Sequence, residues 1–407
     1  MVIASPNPSV VCKIEATDGL ELAVGYTQPR GGPHAEIMAI RAAAKQGLDI
    51  RGATVYVSLE PCAHHGRTPP CTSALIAAGV GKVVVAILDP NPLVAGKGVQ
   101  QLRDAGIEVE VLPADHPERI ASRELNIGFF SRMVRKTPWV RMKVAASLDG
   151  VTALQNGQSQ WITSPAARDD GQAFRARSCA VLTGIGTVLA DDPQLNVRAL
   201  LDSVQGKIAA PRQPHLVVVD SKLDMPLSAK LLQTIGQRGQ ASKAYAQETI
   251  DLIAPRAVLI YHSSQSDSKI KALEALGAKL IYMPDAETAH ASGKVDLAAM
   301  MRDLAIHQEI NELHVEAGFK LNGSLVKAGL VDEFVVYLAP KLLGQGLGIA
   351  NLPALPGLAD LPATQTLEFK SAELVGDDAE RALRIIARVR GRDTFYASFK
   401  LISRISC

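Results

Sequence analysis

The most constraining feature of the sequence is a group of four polar side chains in the first fifth of the chain. His34 and Glu36 are separated by one residue, and Cys62 and Cys71 each directly follow a proline. One imidazole and two thiolates are ligands that zinc favours. Three protein ligands leave the fourth tetrahedral position for water, as in catalytic zinc sites. The pattern predicts a catalytic zinc site held by His34, Cys62 and Cys71.

Local sequence signals explain how these side chains can converge. Gly32-Pro33 breaks the chain ahead of a predicted helix, which places His34 at the mouth of that helix. Pro70 can open a second helix, and backbone N–H groups in its first turn would favour a thiolate at Cys71. Both cysteines are therefore expected beside His34.

Glu36 is predicted to transfer protons rather than to bind the metal. A fourth ligand would close the position reserved for water, whereas a nearby carboxylate can take a proton from that water and pass it on. A His-x-Glu pattern followed by Pro-Cys and a second cysteine is the signature of zinc deaminases. Here the spacer is longer, and it contains His64, His65 and Arg67, which are expected near the pocket.

A structural zinc site or two buried free thiols would be the ordinary interpretation of an isolated cysteine pair. The combination of His-x-Glu on one helix, Pro-Cys after a strand and a cysteine opening the next helix favours catalysis instead.

Composition narrows the remaining choices. The 407 residues predict two or three domains at about 150 residues each. A net charge of +2 and an aromatic content of 4% argue against a nucleic-acid partner, and the short apolar runs argue against a membrane span. Five cysteines are too few for a disulfide framework. We therefore expect a cytoplasmic enzyme that acts on a small molecule.

Strand and helix signals alternate through most of the chain. They predict a hairpin near residues 10–26, then a mostly parallel sheet with helices on both faces. The polar segment 132–138 is expected to be a linker, with a second α/β domain after it. Its predicted strands are 139–145, 180–183, 215–220, 257–261, 313–315 and 333–338.

Eight longer motifs carry a resemblance to a known family. Those in the first third are SPNPSV (5–10), PHAE (33–36), LEPCAHHGRTPPC (59–71) and DPNPLVAGKG (89–98). Those further along are KVAASLDG (143–150), SQWITS (159–164), TGIGTVLADDPQLNVR (183–198) and HVEAGFKLNGSLVKAGLVDE (314–333). Over about residues 5–390 the chain resembles the bifunctional deaminase/reductase family of riboflavin biosynthesis.

The resemblance implies two domains with separate activities. Residues 1–135 would form a cytidine-deaminase-like three-layer α/β/α domain, and residues 136–391 a dihydrofolate-reductase-like α/β domain. Residues 392–407 would be a tail of unknown role. The first domain would use one Zn²⁺ to deaminate a phosphoribosylaminopyrimidine. The second would use NADPH to reduce the ribosyl group to ribityl, and the chain would form a homo-oligomer.

The resemblance also assigns residues to each site. In the first domain His34, Cys62 and Cys71 would bind zinc, Glu36 would be catalytic, and Asn7 would contact the pyrimidine. The cofactor-binding residues of the second domain would be Ala145, Trp161, Thr187, Asp191, Ser221, Gly318, Phe319, Lys320, Leu321, Asn322, Gly323 and Ser324. Its substrate-binding residues would be Ser159, Arg175, Leu195, Arg198 and Glu316. Arg175 and Arg198 could each present a fork to a phosphate, and Lys143 is a weaker candidate for assisting protonation.

Two departures from the family pattern bear on the first site. Family members commonly carry a histidine where Thr27 stands, and a helix usually precedes the segment that begins here at Ser5. Weaker substrate binding in the first domain is therefore expected. Two alternative hypotheses remain: a reductase whose zinc domain is structural or impaired, and a nucleic-acid-editing deaminase fused to a binding module.

Overall fold

The computed structural model divides the chain into two compact units. The structure describes residues 4–63, 69–91, 94–198, 200–202, 206–208, 210, 212–240, 247–285, 293–376 and 381–395. Residues 4–136 form the first unit together with Thr394 and Phe395, and residues 137–393 form the second. Each unit has its own hydrophobic core.

The first unit is built on a five-stranded mixed sheet. Its strands are β1 (Val11–Glu15), β2 (Glu21–Tyr26), β3 (Thr54–Val57), β4 (Lys82–Val85) and β5 (Glu108–Val111). They lie in the order β2-β1-β3-β4-β5, with β1 antiparallel to both neighbours and the β3-β4 and β4-β5 pairs parallel. The expected hairpin is present, and the strands that follow it, β3, β4 and β5, are parallel to one another as expected. The sequence pattern did not indicate that β1 runs antiparallel to β3.

Five helices accompany this sheet. They are α1 (Ala35–Lys45), α2 (Cys71–Ala77), α3 (Lys97–Asp104), α4 (Pro117–Leu125) and α5 (Ile127–Arg135). Gly25 allows α1 to pack very closely on β2, since a Cβ atom there would lie 2.2 Å from the carbonyl oxygen of Ala35. The expected linker 132–138 is helical as far as Arg135. Phe395 packs against the first unit's core, beneath the guanidinium of Arg135 at 4.9 Å.

The second unit is built on a nine-stranded sheet in the order β13-β12-β11-β8-β14-β6-β15-β18-β17. Its strands are β6 (Trp139–Ser147), β8 (Ala180–Gly184), β11 (His215–Val219), β12 (Val258–His262), β13 (Lys279–Tyr282), β14 (Glu312–Val315), β15 (Glu333–Ala339), β17 (Leu367–Val375) and β18 (Ala382–Val389). The pairs from β13 to β15 are parallel, and the last two are antiparallel. All six predicted strands are present.

The remaining elements of this unit are short strands and helices. The strands are β7 (Ala153–Leu154), β9 (Leu200–Asp202), β10 (Gly206–Ile208) and β16 (Gly346–Leu347). The α-helices are α6 (Pro165–Arg177), α7 (Ile185–Asp191), α8 (Gln247–Asp251), α9 (Asp267–Ala275), α10 (Leu297–Ile306) and α11 (Phe319–Lys327). Short 3₁₀ turns occupy Leu232–Thr234, Leu358–Asp360 and Ala363–Gln365. No helix in the described part of the chain is long and apolar enough to cross a membrane.

A buried ion-pair network connects three adjacent strands of this sheet, β14, β6 and β15. Arg141 on β6 contacts Glu312 on β14 at 2.8 Å and Glu333 on β15 at 2.5 Å. Arg177 also contacts Glu312, and Arg388 also contacts Glu333. The side chain of Arg141 is only 3% exposed, so its charge depends on these carboxylates for compensation.

Replacing Arg141 with Met should destabilise the second unit, because two buried carboxylates would lose their shared cation. We expect a loss of about 3 kcal/mol or more in the free energy of unfolding. Urea titration followed by tryptophan fluorescence measures it selectively, since both tryptophans, Trp139 and Trp161, belong to this unit. Lys271→Met removes an exposed ion pair with Asp267 and is the control; an equal loss in both variants would contradict the proposed role of burial.

Candidate active sites

The first unit brings the three predicted metal ligands together. His34 immediately precedes α1, Cys62 follows β3, and Cys71 is the first residue of α2. Nδ1 of His34 lies 3.6 Å from the Cys62 sulfur and 3.3 Å from the Cys71 sulfur, and all three donor atoms lie within 4.8 Å of one another. Residues far apart in sequence thus form one compact donor set.

The separation of these donors suits tetrahedral zinc. With Zn–S near 2.3 Å and Zn–N near 2.0 Å, a nitrogen and a sulfur on one tetrahedron are about 3.5 Å apart. The two observed nitrogen–sulfur distances lie on either side of that value. The backbone N–H of Cys71 also points to the Cys62 sulfur at 3.4 Å. The pKa of the Cys62 thiol is lowered by hydrogen bonding with Cys71 and then with His34, which favours the metal-binding thiolate.

Glu36 lies beside this donor set, in the first turn of α1. It is almost fully buried, and its carboxyl group is hydrogen-bonded to Cys71. Burial raises the pKa of Glu36 above its ordinary value, outweighing the opposing effects of a backbone hydrogen bond and of His34. A raised pKa brings a carboxyl group closer to the range where it can both accept and donate a proton at neutral pH.

Glu60 is a supporting residue for which the sequence indicated no role. Its buried carboxylate accepts four backbone N–H bonds of 2.9–3.2 Å, from Asp89, Gly96, Gly98 and Val99. These bonds hold the start of α3 against the segment that leads to Cys62. The Leu-Glu-Pro-Cys motif was a visible signal, but the acceptor role depends on residues 29 to 39 positions away.

The hydroxyl group of Thr27 is hydrogen-bonded to the backbone of Val10. Its Oγ1 accepts the backbone N–H of Val10 at 3.0 Å and lies 3.4 Å from the carbonyl oxygen of the same residue. Asn7 is half-buried near the start of the described chain. His64, His65 and Arg67 lie outside the described residues.

The second unit contains a cleft of about 1600 Å³ that collects most of the predicted reductase residues. The cofactor-binding candidates that line it are Ala145, Trp161, Thr187, Asp191, Ser221, Gly318, Phe319, Lys320, Leu321 and Asn322. The five substrate-binding candidates, Ser159, Arg175, Leu195, Arg198 and Glu316, line it too. Several of these residues, including Ser221, Glu316 and Gly318, lie just beyond the carboxyl ends of parallel strands, where open α/β sheets bind ligands.

Two predicted cofactor-binding residues are not among those that line the cleft. Gly323 packs against the backbone of Asn351, where a Cβ atom would come within 2.3 Å of its carbonyl oxygen. Ser324 donates its hydroxyl to the carbonyl of Lys320 one turn earlier on α11. Gly323 therefore permits close packing against Asn351, and the hydroxyl group of Ser324 forms its hydrogen bond within α11.

Arg175 pairs with Glu316 through the edge that was expected to bind phosphate. Its Nε and Nη2 donate to the two carboxylate oxygens at 2.7 and 2.9 Å, and its Nη1 donates to the carbonyl of Asn196 at 2.6 Å. The Nε–Nη2 fork is therefore occupied, contrary to the sequence-based expectation. Arg198 is exposed at the cleft, and its phosphate-binding role stays a prediction.

Lys143 is a cleft residue on β6, and its ammonium group lies 5.9 Å from the ring centre of Tyr337. Burial lowers its pKa below the ordinary lysine value, and Arg175 and Arg168 act in the same direction, whereas Glu316 opposes them. The side chain is partly buried on its strand rather than fully solvated. A partly buried lysine of lowered pKa releases its proton more readily than a solvated one.

Arg256 supports one wall of the cleft, a role that the sequence did not reveal. Its guanidinium donates to the carbonyls of Gln194 and Leu195, and it also contacts Asn196. Leu195 has a positive φ of 51°, which is unfavourable for a leucine. Arg256 thus helps to hold a strained loop in place from a position 60 residues further along the chain.

Comparisons with known proteins match each of the two units to a protein family. Residues 138–379 match the RibD C-terminal domain family, and residues 2–87 match the cytidine and deoxycytidylate deaminase zinc-binding region. The Escherichia coli riboflavin biosynthesis protein RibD is 43% identical over 379 residues, covering 92% of each chain. The Aquifex aeolicus protein of the same name is 36% identical and covers 92% of this chain and 91% of its own length.

The chain belongs to the RibD family.

Solved structures of RibD proteins support the fold over its full extent. Acinetobacter baumannii RibD has a TM-score of 0.75 and 39% identity, covering 95% of this chain and 94% of its own. A Thermotoga maritima deaminase/reductase has a TM-score of 0.72 and 28% identity, covering 96% and 94%. The chain is a bifunctional enzyme of riboflavin biosynthesis, with a zinc-binding deaminase domain and a reductase domain of mixed α/β architecture.

Cys62→Ser should remove most bound zinc from the purified protein, because a hydroxyl is a far poorer zinc ligand than a thiolate. We expect elemental analysis to fall from about one zinc per chain to near zero. Cys12→Ser is the matched control, since Cys12 is a buried cysteine of the same unit outside the donor set. Equal zinc content in all three proteins would reject the site.

Proposed function

We propose that the two units catalyse consecutive steps on one phosphoribosylaminopyrimidine. The first would hydrolyse the 2-amino group of 2,5-diamino-6-(5-phosphoribosylamino)pyrimidin-4(3H)-one. The second would reduce the ribosyl group of the resulting 5-amino-6-(5-phosphoribosylamino)uracil to ribityl with NADPH. The observation that carries the proposal is the presence, in one RibD-family chain, of a zinc-compatible donor set beside Glu36 and a separate cleft containing Lys143 and Glu316.

In the deaminase site His34, Cys62 and Cys71 would hold zinc. The metal would act as a Lewis acid that lowers the pKa of a bound water molecule to about 7. Glu36 would accept a proton from the water that attacks the ring carbon, protonate the adjacent ring nitrogen, and then deliver a proton to the departing ammonia. Water thus replaces the amino group with a carbonyl oxygen, and the raised pKa of Glu36 suits it to both transfers.

In the reductase site the protein would orient the ring-opened sugar against the nicotinamide. NADPH would supply the hydride that reduces C1′. Lys143 would deliver a proton to the substrate, helped by the desolvation that lowers its pKa. Glu316 would accept a hydrogen bond from the sugar, and Arg198 would contact the phosphate, since Arg175 already pairs with Glu316.

The cleft has the features needed for a dinucleotide. Gly318 immediately precedes α11, and the first residues of that nine-residue helix line the cleft. Backbone N–H groups at such a helix start favour a pyrophosphate. A Cβ atom at Gly318 would lie 3.7 Å from Thr187 Oγ1, so the two predicted cofactor-binding residues face one another. Trp161, with Arg168 stacked 4.3 Å from its ring centre, offers an exposed aromatic face at the same cleft.

The proposed division of labour places the deaminase in residues 1–135 and the reductase in residues 136–391, with 392–407 as a tail. We further propose a cytoplasmic location, because thiols that bind zinc persist most readily in a reducing compartment. The described cysteines Cys12, Cys62, Cys71 and Cys179 are not joined in disulfides. Near-neutral charge favours a small-molecule substrate over nucleic acid.

Glu36→Gln should abolish ammonia release while leaving zinc content unchanged, because the amide cannot transfer protons. A fall of about 100-fold or more is expected, as for the loss of a general acid–base group. Ammonia release from the diaminopyrimidine substrate measures the first step, and NADPH oxidation with the deaminated intermediate measures the second. The second rate should be unchanged in this variant.

Lys143→Met provides the reciprocal control. It should suppress NADPH oxidation and leave ammonia release intact, because its site is in the second unit. If Glu36→Gln releases ammonia at the wild-type rate, the alternative of a reductase with a structural zinc domain is favoured. If wild-type protein with zinc and NADPH turns over neither substrate, the proposed function is wrong.

We propose that two copies associate through β17, the outermost strand of the nine-stranded sheet. Phe369 is 74% exposed and Leu374 is 63% exposed on this strand. Leu358 and Leu361 are exposed in the segment just before it. A long edge strand with apolar side chains is a template for pairing with another chain. A second copy of the same strand would bury these side chains.

Phe369→Lys should weaken this association, because it would place a charge in the interface. Light scattering after size exclusion should give about twice the 43.2 kDa chain mass for the wild type and a lower mass for the variant. Leu252→Lys changes an exposed leucine outside β17 and is the control. A wild-type protein that is monomeric at micromolar concentration would exclude the proposed dimer.

A further inference from the structure

His314 is a buried histidine directly behind the cleft. It is the third residue of β14, fully buried, and two residues before Glu316. Its Nε2 lies 3.4 Å from Glu316 Oε1. In the described part of the chain neither ring nitrogen has a partner in good hydrogen-bond geometry. An imidazole left this way in a protein interior calls for an explanation, since buried polar atoms are nearly always paired.

The Glu316 carboxylate has enough lone-pair positions to accept a hydrogen bond from this histidine and one more from a substrate. A carboxylate offers about four lone-pair positions on its two oxygens. Arg175 occupies one on each oxygen, through Nε on Oε1 and Nη2 on Oε2. A bond from His314 Nε2 would take the second position on Oε1. One acceptor position then remains, and it belongs to Oε2.

We propose that His314 is a positioning residue for the reductase reaction: by donating Nε2–H to Glu316 Oε1, it leaves a single oriented acceptor, on Oε2, for a hydroxyl group of the sugar substrate. This inference rests on the proposed function of the cleft. His314 touches neither substrate nor cofactor, and it acts only through Glu316.

The charged groups around the imidazole favour its neutral, donating form. Glu316 faces it from the end of its own strand, Arg141 is its neighbour on β6, and Arg175 reaches it from α6. Burial lowers the pKa of His314, and both arginines act in the same direction, whereas Glu316 opposes them. Its other strand neighbour, Val181 on β8, carries no charge.

The same contacts keep Glu316 ionised. Burial raises the pKa of this carboxyl group, but the opposing effects of Arg175 and His314 are larger together, so the pKa lies well below the ordinary value. Without His314 the pKa of Glu316 should rise. Protonation would then remove the free acceptor at a higher pH than in the wild type.

The test compares His314→Phe with His314→Gln in the reductase assay, with the deaminated intermediate supplied. Phe removes the donor, whereas the Gln side-chain amide can restore it. We expect His314→Phe to raise KM by about tenfold with a smaller change in kcat, and to shift the acidic limb of the kcat/KM profile to higher pH. His314→Gln should recover both properties. Equal KM values and pH profiles in all three proteins would overturn the proposal.

His215→Phe controls for the general effect of replacing a strand histidine of the same sheet, here a partly buried one. His215 lies on β11, and its Nδ1 accepts the backbone N–H of Ala257. This variant should leave the acidic limb in place, even if the protein becomes less stable. Ammonia release by the first unit confirms that each variant is otherwise intact. An identical shift in the His215 variant would mean that His314 acts through stability alone.

A measurement without substrate separates this proposal from the proposed function. In protein labelled with ¹⁵N-histidine, the signal that disappears in His314→Gln belongs to His314. We expect it to report a neutral ring with hydrogen on Nε2 at pH 6.5. A Nδ1–H tautomer or a charged ring would overturn the role of His314, whereas absent turnover by the wild type would overturn only the assigned reaction.

Discussion

The buried pairing of Arg141 with Glu312 and Glu333 constrains the whole second unit. It crosses the three adjacent strands β14, β6 and β15, so a slip of one residue in either pairing would turn a charged side chain to the opposite face of the sheet. Replacing such a network with apolar residues can stabilise a protein, which makes specificity of register a better explanation than stability for its presence. The register matters because alternate residues further along the same strands reach the cleft.

The cleft is a continuation of this polar face. Along β14 and beyond, every second residue is polar: Glu312 belongs to the ion-pair network, His314 is buried behind the cleft, and Glu316 lines it. On β6 the same period leads from Arg141 to Lys143. In the first unit the site is positioned by hydrogen bonds to the backbone rather than by ion pairs between strands. There the carboxylate of Glu60 binds four backbone N–H groups and holds a loop and a helix start beside Cys62.

The sequence was most informative where function depends on residue type within a short motif. His34, Cys62 and Cys71 were recognisable because few residues bind zinc, and their prolines and glycines indicated where helices begin. The family resemblance located most of the cleft. What the sequence could not reveal was which partner each charged group takes: Arg175 and Glu316 are 141 positions apart, and Arg256 contacts a loop 60 residues earlier. The antiparallel pairing of β1 and β3 was equally invisible, because buried strands look alike in either direction.

These pairings change how the two arginines of the cleft should be understood. A guanidinium whose fork is already bound to a carboxylate cannot offer that edge to phosphate without first breaking a buried ion pair, which is costly. Arg175 therefore pairs with Glu316 and fixes its charge and orientation, and Arg198 would be the arginine that contacts the substrate phosphate in the proposed reaction. A carboxylate fixed by an arginine on one side and a histidine on the other can distinguish a sugar hydroxyl by position, because its one free acceptor cannot rotate. Selectivity at this end of the substrate would then come from the rigid acceptor on Glu316, and electrostatic attraction from the exposed guanidinium of Arg198.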